Sequence, residues 1–239
     1  MKISGSTALI TGASRGLGRH FARQLLDRGA ARVYATARKP ADVDIPGADV
    51  LPLDIMEPAS VAAAAKAAAD VTLLVNNAGV ALYQNLVTGD LDKIRLELDT
   101  HFYGTLAVTR AFAPVLAANG GGAILNVMSR MSWLSYDGAN AYAVAKAAEW
   151  SLTNGVRLEL AGQGTQVSGV FLSATDTDMM AGRDIPKNNP ADVVRTTLDG
   201  VEAGLLEIIT DEETAQTKAD LSADPAITYA AQLTEAAAR

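Results

Sequence analysis

The chain has 239 residues, 49% of them apolar, a formal net charge of −7 and no cysteine. The negative balance argues against a nucleic-acid partner, whose binding rests on Lys and Arg neutralising phosphates. The lack of cysteine excludes disulfides, thiolate chemistry and Cys-ligated metals. No apolar run approaches the roughly 20 residues that span a bilayer, and the opening MKISGSTALIT lacks the apolar core of a leader, so no membrane partner and a cytoplasmic location are expected.

Short aliphatic runs alternate with helical patterns along the chain. TALIT (7–11) reads as a first strand, and LGRHFARQLLDRG follows as a helix with Leu17, Phe21 and Leu25 on one face and Gly29 as its C-cap. RVYATA and DVLPLD are the second and third strands, and PASVAAAAKAAAD is a helix opened by Pro58. VTLLVN, the fourth strand, is a continuous apolar run, as expected of a parallel strand covered on both faces. One long helical region runs from about Leu91 to Ala118, AILNVMS is the fifth strand, 139–161 a helix and TQVSGVFL the sixth strand. PADVVRTTLDGVEAG is a last helix before the seventh strand, LLEIIT; the acidic tail from about 211 reads as peripheral. The βα alternation, with no linker and no internal repeat, predicts a single α/β domain over 1–239: a Rossmann-type, doubly wound, seven-stranded parallel sheet with helices on both faces.

TGASRGLG joins the first strand to the first helix, with glycines at 12, 16 and 18. A glycine-rich strand-to-helix turn lets the backbone approach a pyrophosphate at the positive helix N-terminus. An acid at the end of the second strand would hold a ribose 2′-hydroxyl; here the strand ends Ala35-Thr36-Ala37-Arg38-Lys39, with no acid. A guanidinium fork suits a 2′-phosphate dianion, and Arg15 in the glycine turn lies near the same point, so NADP(H) is expected over NAD(H).

With these motifs in order, the chain resembles the short-chain dehydrogenase/reductase family. TGASRGLG is similar to the family's cofactor turn, NNAG (76–79) follows the fourth strand as the family motif does, and Ser129, Tyr142 and Lys146 match its catalytic Ser and Tyr-x-x-x-Lys set, with the Ser thirteen residues before the Tyr. Thr177 in ATDTDMM matches a threonine that binds the nicotinamide carboxamide in the family. The resemblance implies cofactor contacts from Gly12, Ser14, Arg15, Gly16, Leu17 and Gly18, and from Arg38. It implies Asp54 and Ile55 flanking the adenine, and Asn77, Ala78 and Gly79 on the adenosine side, with Asn76 serving the sheet instead. Tyr142, Lys146, Thr175 and Thr177 complete the set. It also implies a homodimer or homotetramer.

The chemistry asked of these residues is proton transfer. Free Tyr has a pKa of about 10, and a cation nearby favours the phenolate. Lys146, one helical turn on, is expected to bring Tyr142 down so that it acts as general acid in reduction and base in oxidation. Ser129 is expected to hydrogen-bond the substrate oxygen. Tyr136, with Asn140 rather than a lysine at +4, is expected to line or cover the substrate cleft.

Two departures stand out. Where the family has an Asn that holds a relay water, this chain has His101; it reads either as ordering a water and titrating near pH 6.5 or as a structural histidine packed between helices. The family's Pro-Gly after the sixth strand is Leu172-Ser173. Candidate pocket residues are Leu82, Tyr83, Met131, Trp133, Tyr136, Met179 and Met180, an apolar set suited to a small hydrophobic ketone or aldehyde. The leading expectation is an NADPH-dependent carbonyl reductase or alcohol dehydrogenase; a 3-oxoacyl-thioester reductase and a non-catalytic NADP-binding sensor on the same fold stay open beside it.

Overall fold

The computed structural model describes residues 1–238. Seven strands form one wholly parallel sheet: β1 Thr7–Ile10, β2 Arg32–Ala37, β3 Asp49–Pro52, β4 Leu73–Asn76, β5 Ala123–Val127, β6 Gln166–Phe171 and β7 Glu207–Ile209, in the order β3-β2-β1-β4-β5-β6-β7. The order reverses between β1 and β4, the point where doubly wound sheets open a crevice at the strand C-termini.

The pleat sends alternate side chains to opposite faces, and both faces are covered. Ala8 and Ile10 of β1, Leu73 and Val75 of β4 and Leu125 of β5 join one core with Phe21 and Leu25 of α1 (Gly16–Asp27) and Val194 and Leu198 of α6 (Pro190–Glu202). Leu9, Leu74 and Ile124 point the other way, into a core with Val61 of α2 (Pro58–Ala67), Phe112 and Leu116 of α4 (Thr105–Ala118) and Leu152 and Val156 of α5 (Asn140–Glu159). The continuous apolar strands follow from this two-sided burial.

The long helical region expected over 91–118 is present, with a change of helix type inside it. α3 spans Leu91–Leu98, Asp99–Gly104 form a π-helical turn, and α4 follows. Gly104 closes that turn against Ile55; a Cβ there would stand 2.8 Å from Ile55 Cδ1. A π turn widens the helix locally and re-aims its side chains, and here it carries His101 inward.

The tail is more engaged than its composition suggests. The Asp211 carboxylate caps α7 (Glu212–Ala219) through Thr214 N–H at 2.8 Å, and also accepts from Ser173 N–H at 3.0 Å. α8 (Pro225–Thr228) and α9 (Ala230–Ala237) follow, and Tyr229 Oη accepts from Ser135 N–H at 3.2 Å. Among the described residues no helix is long and apolar enough to cross a membrane, and no cluster of potential metal ligands occurs.

Candidate active site

The glycine turn is built by steric necessity. Gly12 (φ +70°) and Gly16 (φ +52°) hold left-handed backbone, and a Cβ on Gly18 would lie 2.2 Å from Gly12 O. Thr11 Oγ1 accepts from Asn77 and Ala78 N–H, both at 2.9 Å, while the Asn77 amide donates to Thr11 O (2.9 Å) and Gly12 O (3.1 Å). The Asn77 side-chain amide thus braces the glycine turn. Asn76 does serve the sheet, donating to Asn126 Oδ1 at 2.9 Å.

Beside the turn lies a groove of about 390 Å³ lined by Arg15, Gly16, Arg19, His20, Asp176, Thr177 and Asp178. Gly16 faces Thr177, whose Cβ would be 3.5 Å from an added Cβ. Arg19 lines the groove, and its Nε is buried without a hydrogen-bond partner. His20 forms part of the wall of this groove. Ser14 is half-buried in the turn, Leu17 packs on the first core, and Arg38 is exposed just past β2. The Asp54 carboxylate accepts from Met56 N–H at 3.0 Å, and Ile55 is buried against Gly104.

Ser129 follows β5 directly, and its Oγ accepts from Met131 N–H at 3.1 Å. Tyr142 and Lys146 lie one turn apart on α5, with Lys146 Nζ 5.7 Å from the Tyr142 ring centroid. The Ser129 hydroxyl donates to Leu172 O at 3.5 Å, and it lies near enough to Tyr142 to favour the ionised phenol. Lys146 is buried; its Nζ donates to Val127 O at 2.8 Å and to Glu149 Oε2 at 2.7 Å. Burial alone would push the Lys146 amine down, but the Glu149 carboxylate outweighs it and the net direction is up. For Tyr142 burial pushes the phenol up, Lys146 pulls it down, and Glu149 and Glu97 push it up again, leaving it above its ordinary value. Lys146 does pull Tyr142 down as expected, but in the protein alone burial, with Glu149 and Glu97 behind it, outweighs the ammonium, so the expectation of a lowered phenol is corrected.

His101 is fully enclosed, 1% exposed, and stands edge-on to Tyr142. Its Nε2 sits 2.7 Å from Val80 O and so carries the proton; Nδ1 lies 3.9 Å from Glu149 Oε2. Burial first, then Lys146, hold the imidazole well below its ordinary 6.5. The expected titration near pH 6.5 is thus corrected: this ring is neutral across the physiological range. Gly79 explains its seat, since a Cβ there would lie 2.6 Å from His101 Cε1.

On the substrate side, Glu97 is buried and accepts from Leu82 N–H, fixing the loop after NNAG. Tyr83 has φ +53°, donates its hydroxyl to Met179 O at 3.1 Å, reaches Met180 Sδ at 3.7 Å, and carries Arg183 4.2 Å over its ring, so it latches the 178–183 segment. Met131 is half-buried beside Ser129. Trp133 leaves the pocket set: Phe171 stacks on it at 4.1 Å, Trp150 abuts it at 6.0 Å and Lys218 Nζ lies 4.6 Å from its centroid. Tyr136 bonds Arg130, which pairs with Glu213, tying the loop to α7. Thr175 is buried and donates to Ser173 O at 3.1 Å, and Thr177 Oγ1 donates to Thr175 O at 3.3 Å. The Leu172-Ser173 departure is stabilised by Asp211 and by Asn188, whose amide donates to Ser173 Oγ at 2.9 Å. Glu149, Glu97, Arg130 and Asp211 were missed by sequence reasoning. Only Glu149 left a signal, as an acid three residues after Lys146 on the same helix face.

A glycine cradle at the switch point of a parallel sheet, with a Ser, Tyr and Lys converging beside it, defines a dinucleotide-binding oxidoreductase. The sequence matches the short chain dehydrogenase family over residues 6–187, and the chain belongs to that family. It is 31% identical over 239 residues to D-erythrulose reductase of Gallus gallus, covering 94% of this chain and 96% of that one. It is 31% identical over 191 residues to carbonyl reductase (NADPH) 2 of Sus scrofa, covering 77% of each. A short chain dehydrogenase from Burkholderia cenocepacia J2315, crystallised in complex with NADP, superposes with a TM-score of 0.92 at 35% identity, covering 96% of this chain and 98% of that one.

Proposed function

We propose that this protein interconverts a small ketone or aldehyde and its alcohol with NADP(H). The observation that carries the reading is the placement of Ser129 just after β5 and of Tyr142 and Lys146 one turn apart on α5, beside the glycine cradle, with Lys146 Nζ 5.7 Å from the Tyr142 ring centroid. The cradle fits a dinucleotide: Gly18 has no room for a side chain, Gly12 and Gly16 hold left-handed backbone, and Arg15 and Arg19 line the groove. When bound, the nicotinamide supplies or accepts the hydride.

The protein's own part is the proton. In reduction the Tyr142 hydroxyl gives its proton to the carbonyl oxygen, and Ser129 donates a hydrogen bond to that oxygen as charge builds. Lys146 steadies the phenolate left behind. Arg15 and Arg38, with no acid after β2, favour the 2′-phosphate; the NADP complex of the Burkholderia relative supports the same preference. Leu82, Met131, Met179 and Met180 would give Ser129 an apolar approach suited to a small, weakly polar carbonyl; the erythrulose and carbonyl reductases among the relatives support a carbonyl substrate. Exposed Leu96, Tyr103, Val144 and Leu158 on the α3–α5 side support a homo-oligomer.

The test is NADPH oxidation with a panel of ketones and aldehydes, followed at the nicotinamide absorbance. Turnover that disappears in Tyr142→Phe is the expected outcome. Tight NADPH binding with no turnover on any carbonyl overturns the reading in favour of a sensor.

A further inference from the structure

Glu149 is the acid that the proton chemistry above leaves unused. It lies on α5 one turn beyond Lys146 and is 2% exposed. Taking a carboxylate out of water costs several kcal/mol unless its partners compensate. Its partners are few: Oε2 accepts from Lys146 Nζ at 2.7 Å, Oε1 accepts from Thr105 Oγ1 at 3.4 Å, and His101 Nδ1 approaches at 3.9 Å. His101 is neutral, so the Lys146 ammonium is the cation that Glu149 faces.

Seen from Lys146, the arrangement is a grip. The ammonium has three N–H donors. One goes to the Val127 carbonyl at 2.8 Å, from the end of β5, and one to Glu149, from α5 itself. The groups around it come from every neighbouring element: Tyr142 and Glu149 from α5, His101 from the π turn, and Thr105 from α4, which holds the far side of Glu149. Glu97 of α3 acts from further off, on Tyr142.

We infer that Glu149 is a positioning residue for the proton-transfer site: walled off from water, it holds the Lys146 ammonium against the Val127 carbonyl, keeps it charged, and sets how much of that charge Tyr142 feels. The inference rests on the proposed function for its catalytic consequence, but the grip itself is independent of turnover. Without Glu149 the lysine is a buried amine with only a carbonyl to answer it, and burial favours its neutral form. With Glu149 the ammonium persists, at the cost of a second charge opposing the Tyr142 phenolate. The pair therefore exchanges acidity of Tyr142 for permanence of Lys146.

The experiment is an NMR titration of the lysine ε-carbons in the cofactor-free protein, with Lys146 assigned by its loss in Lys146→Met. In the native chain Lys146 is expected to titrate above the exposed lysines, and in Glu149→Gln, a nearly isosteric change, below them. Glu149→Asp keeps the charge and is expected to restore the high value. In turnover, Glu149→Gln is expected to lower kcat on the order of 10²-fold, the scale of a misplaced catalytic group, with KM little changed and with the alkaline fall of the rate starting at lower pH. A Lys146 titration that does not move in Glu149→Gln, or an unchanged kcat, overturns the inference. Should Glu149→Gln fail to fold, Thr105→Val removes only the hydroxyl on the far oxygen and is read in the same way, with a smaller downward move expected and no move overturning. If Tyr142→Phe keeps full activity while the lysine titration behaves as expected, the proposed reaction fails and the grip stands.

Discussion

His101 stands edge-on to Tyr142, ring centroids 5.3 Å apart and planes at 88°. The same imidazole is fixed by Val80 O and closed off from solvent. Its neutrality has a thermodynamic consequence. Burial depresses its pKa in the folded chain below the ordinary 6.5 that it regains on unfolding. Below about pH 6.5 the unfolded state binds a proton that the folded state refuses, so this contribution to stability is full above that pH and is lost as pH falls through it. Denaturant midpoints measured at about pH 7 and about pH 5 should therefore drop on acidification by more in the native protein than in His101→Asn. The acidic limb of the rate should show no step near pH 6.5 that His101→Asn removes; such a step would mean the ring titrates in place.

Two tyrosines lie near the proton-transfer site, and they should separate cleanly. Tyr142 faces Lys146, whereas the Tyr136 hydroxyl is committed to Arg130. Losing a general acid typically costs 10²–10⁴-fold, so Tyr142→Phe should lower kcat by about that much. Tyr136→Phe should change kcat by less than about tenfold, altering mainly KM and the seating of α7 through the Arg130–Glu213 pair. Steady-state kinetics of the two variants check this, and equal losses would move the acid role off Tyr142.

How much of this was legible beforehand depends on which force decided each feature. The seven-stranded parallel sheet was readable because two-sided burial writes itself as unbroken apolar runs such as Leu73–Val75. The π turn at 99–104 was not, because the apolar pattern runs through it and the widening answers a tertiary fit between Gly104 and Ile55. Ser129, Tyr142 and Lys146 were readable as a spacing, and the structure gathers them in one place. Glu149 was not, since an acid in an alanine-rich helix ordinarily meets water, and only the packing of α4 and the π turn encloses it. Trp133 misled because its nearness to Ser129 in sequence says nothing of Phe171 and Lys218, which cover its ring.

Cofactor choice should rest on charge past β2. Arg38 is exposed, and the strand offers no acid to hold a 2′-hydroxyl. Arg38→Asp removes a guanidinium and installs a carboxylate that repels a 2′-phosphate, a swap worth roughly 2–4 kcal/mol on the scale of charge-assisted bonds. The ratio of kcat/KM for NADPH to that for NADH should fall by about 30- to 10³-fold. An unchanged ratio would reassign the phosphate to Arg15 alone, which Arg15→Ala then tests.

Gly79 and Gly155 make a matched pair for the last test. A methyl on Gly79 would stand 2.6 Å from His101 Cε1 and 3.3 Å from Nδ1, and the ring cannot retreat without leaving Val80 O. Overpacking of this kind costs about 1–3 kcal/mol, and the ring's displacement falls on Tyr142, 5.3 Å away. Gly79→Ala should thus lower both the denaturant midpoint and kcat. Gly155, inside α5, has nothing within 4 Å of an added Cβ, so Gly155→Ala should stabilise by about 0.5–1 kcal/mol through helix propensity alone. Combining Gly79→Ala with His101→Ala opens the space that the methyl needs. The double variant should recover part of the stability lost by Gly79→Ala relative to His101→Ala, a coupling that denaturant titration of the four proteins reads directly. Strict additivity would mean that Gly79 is required for some reason other than the histidine.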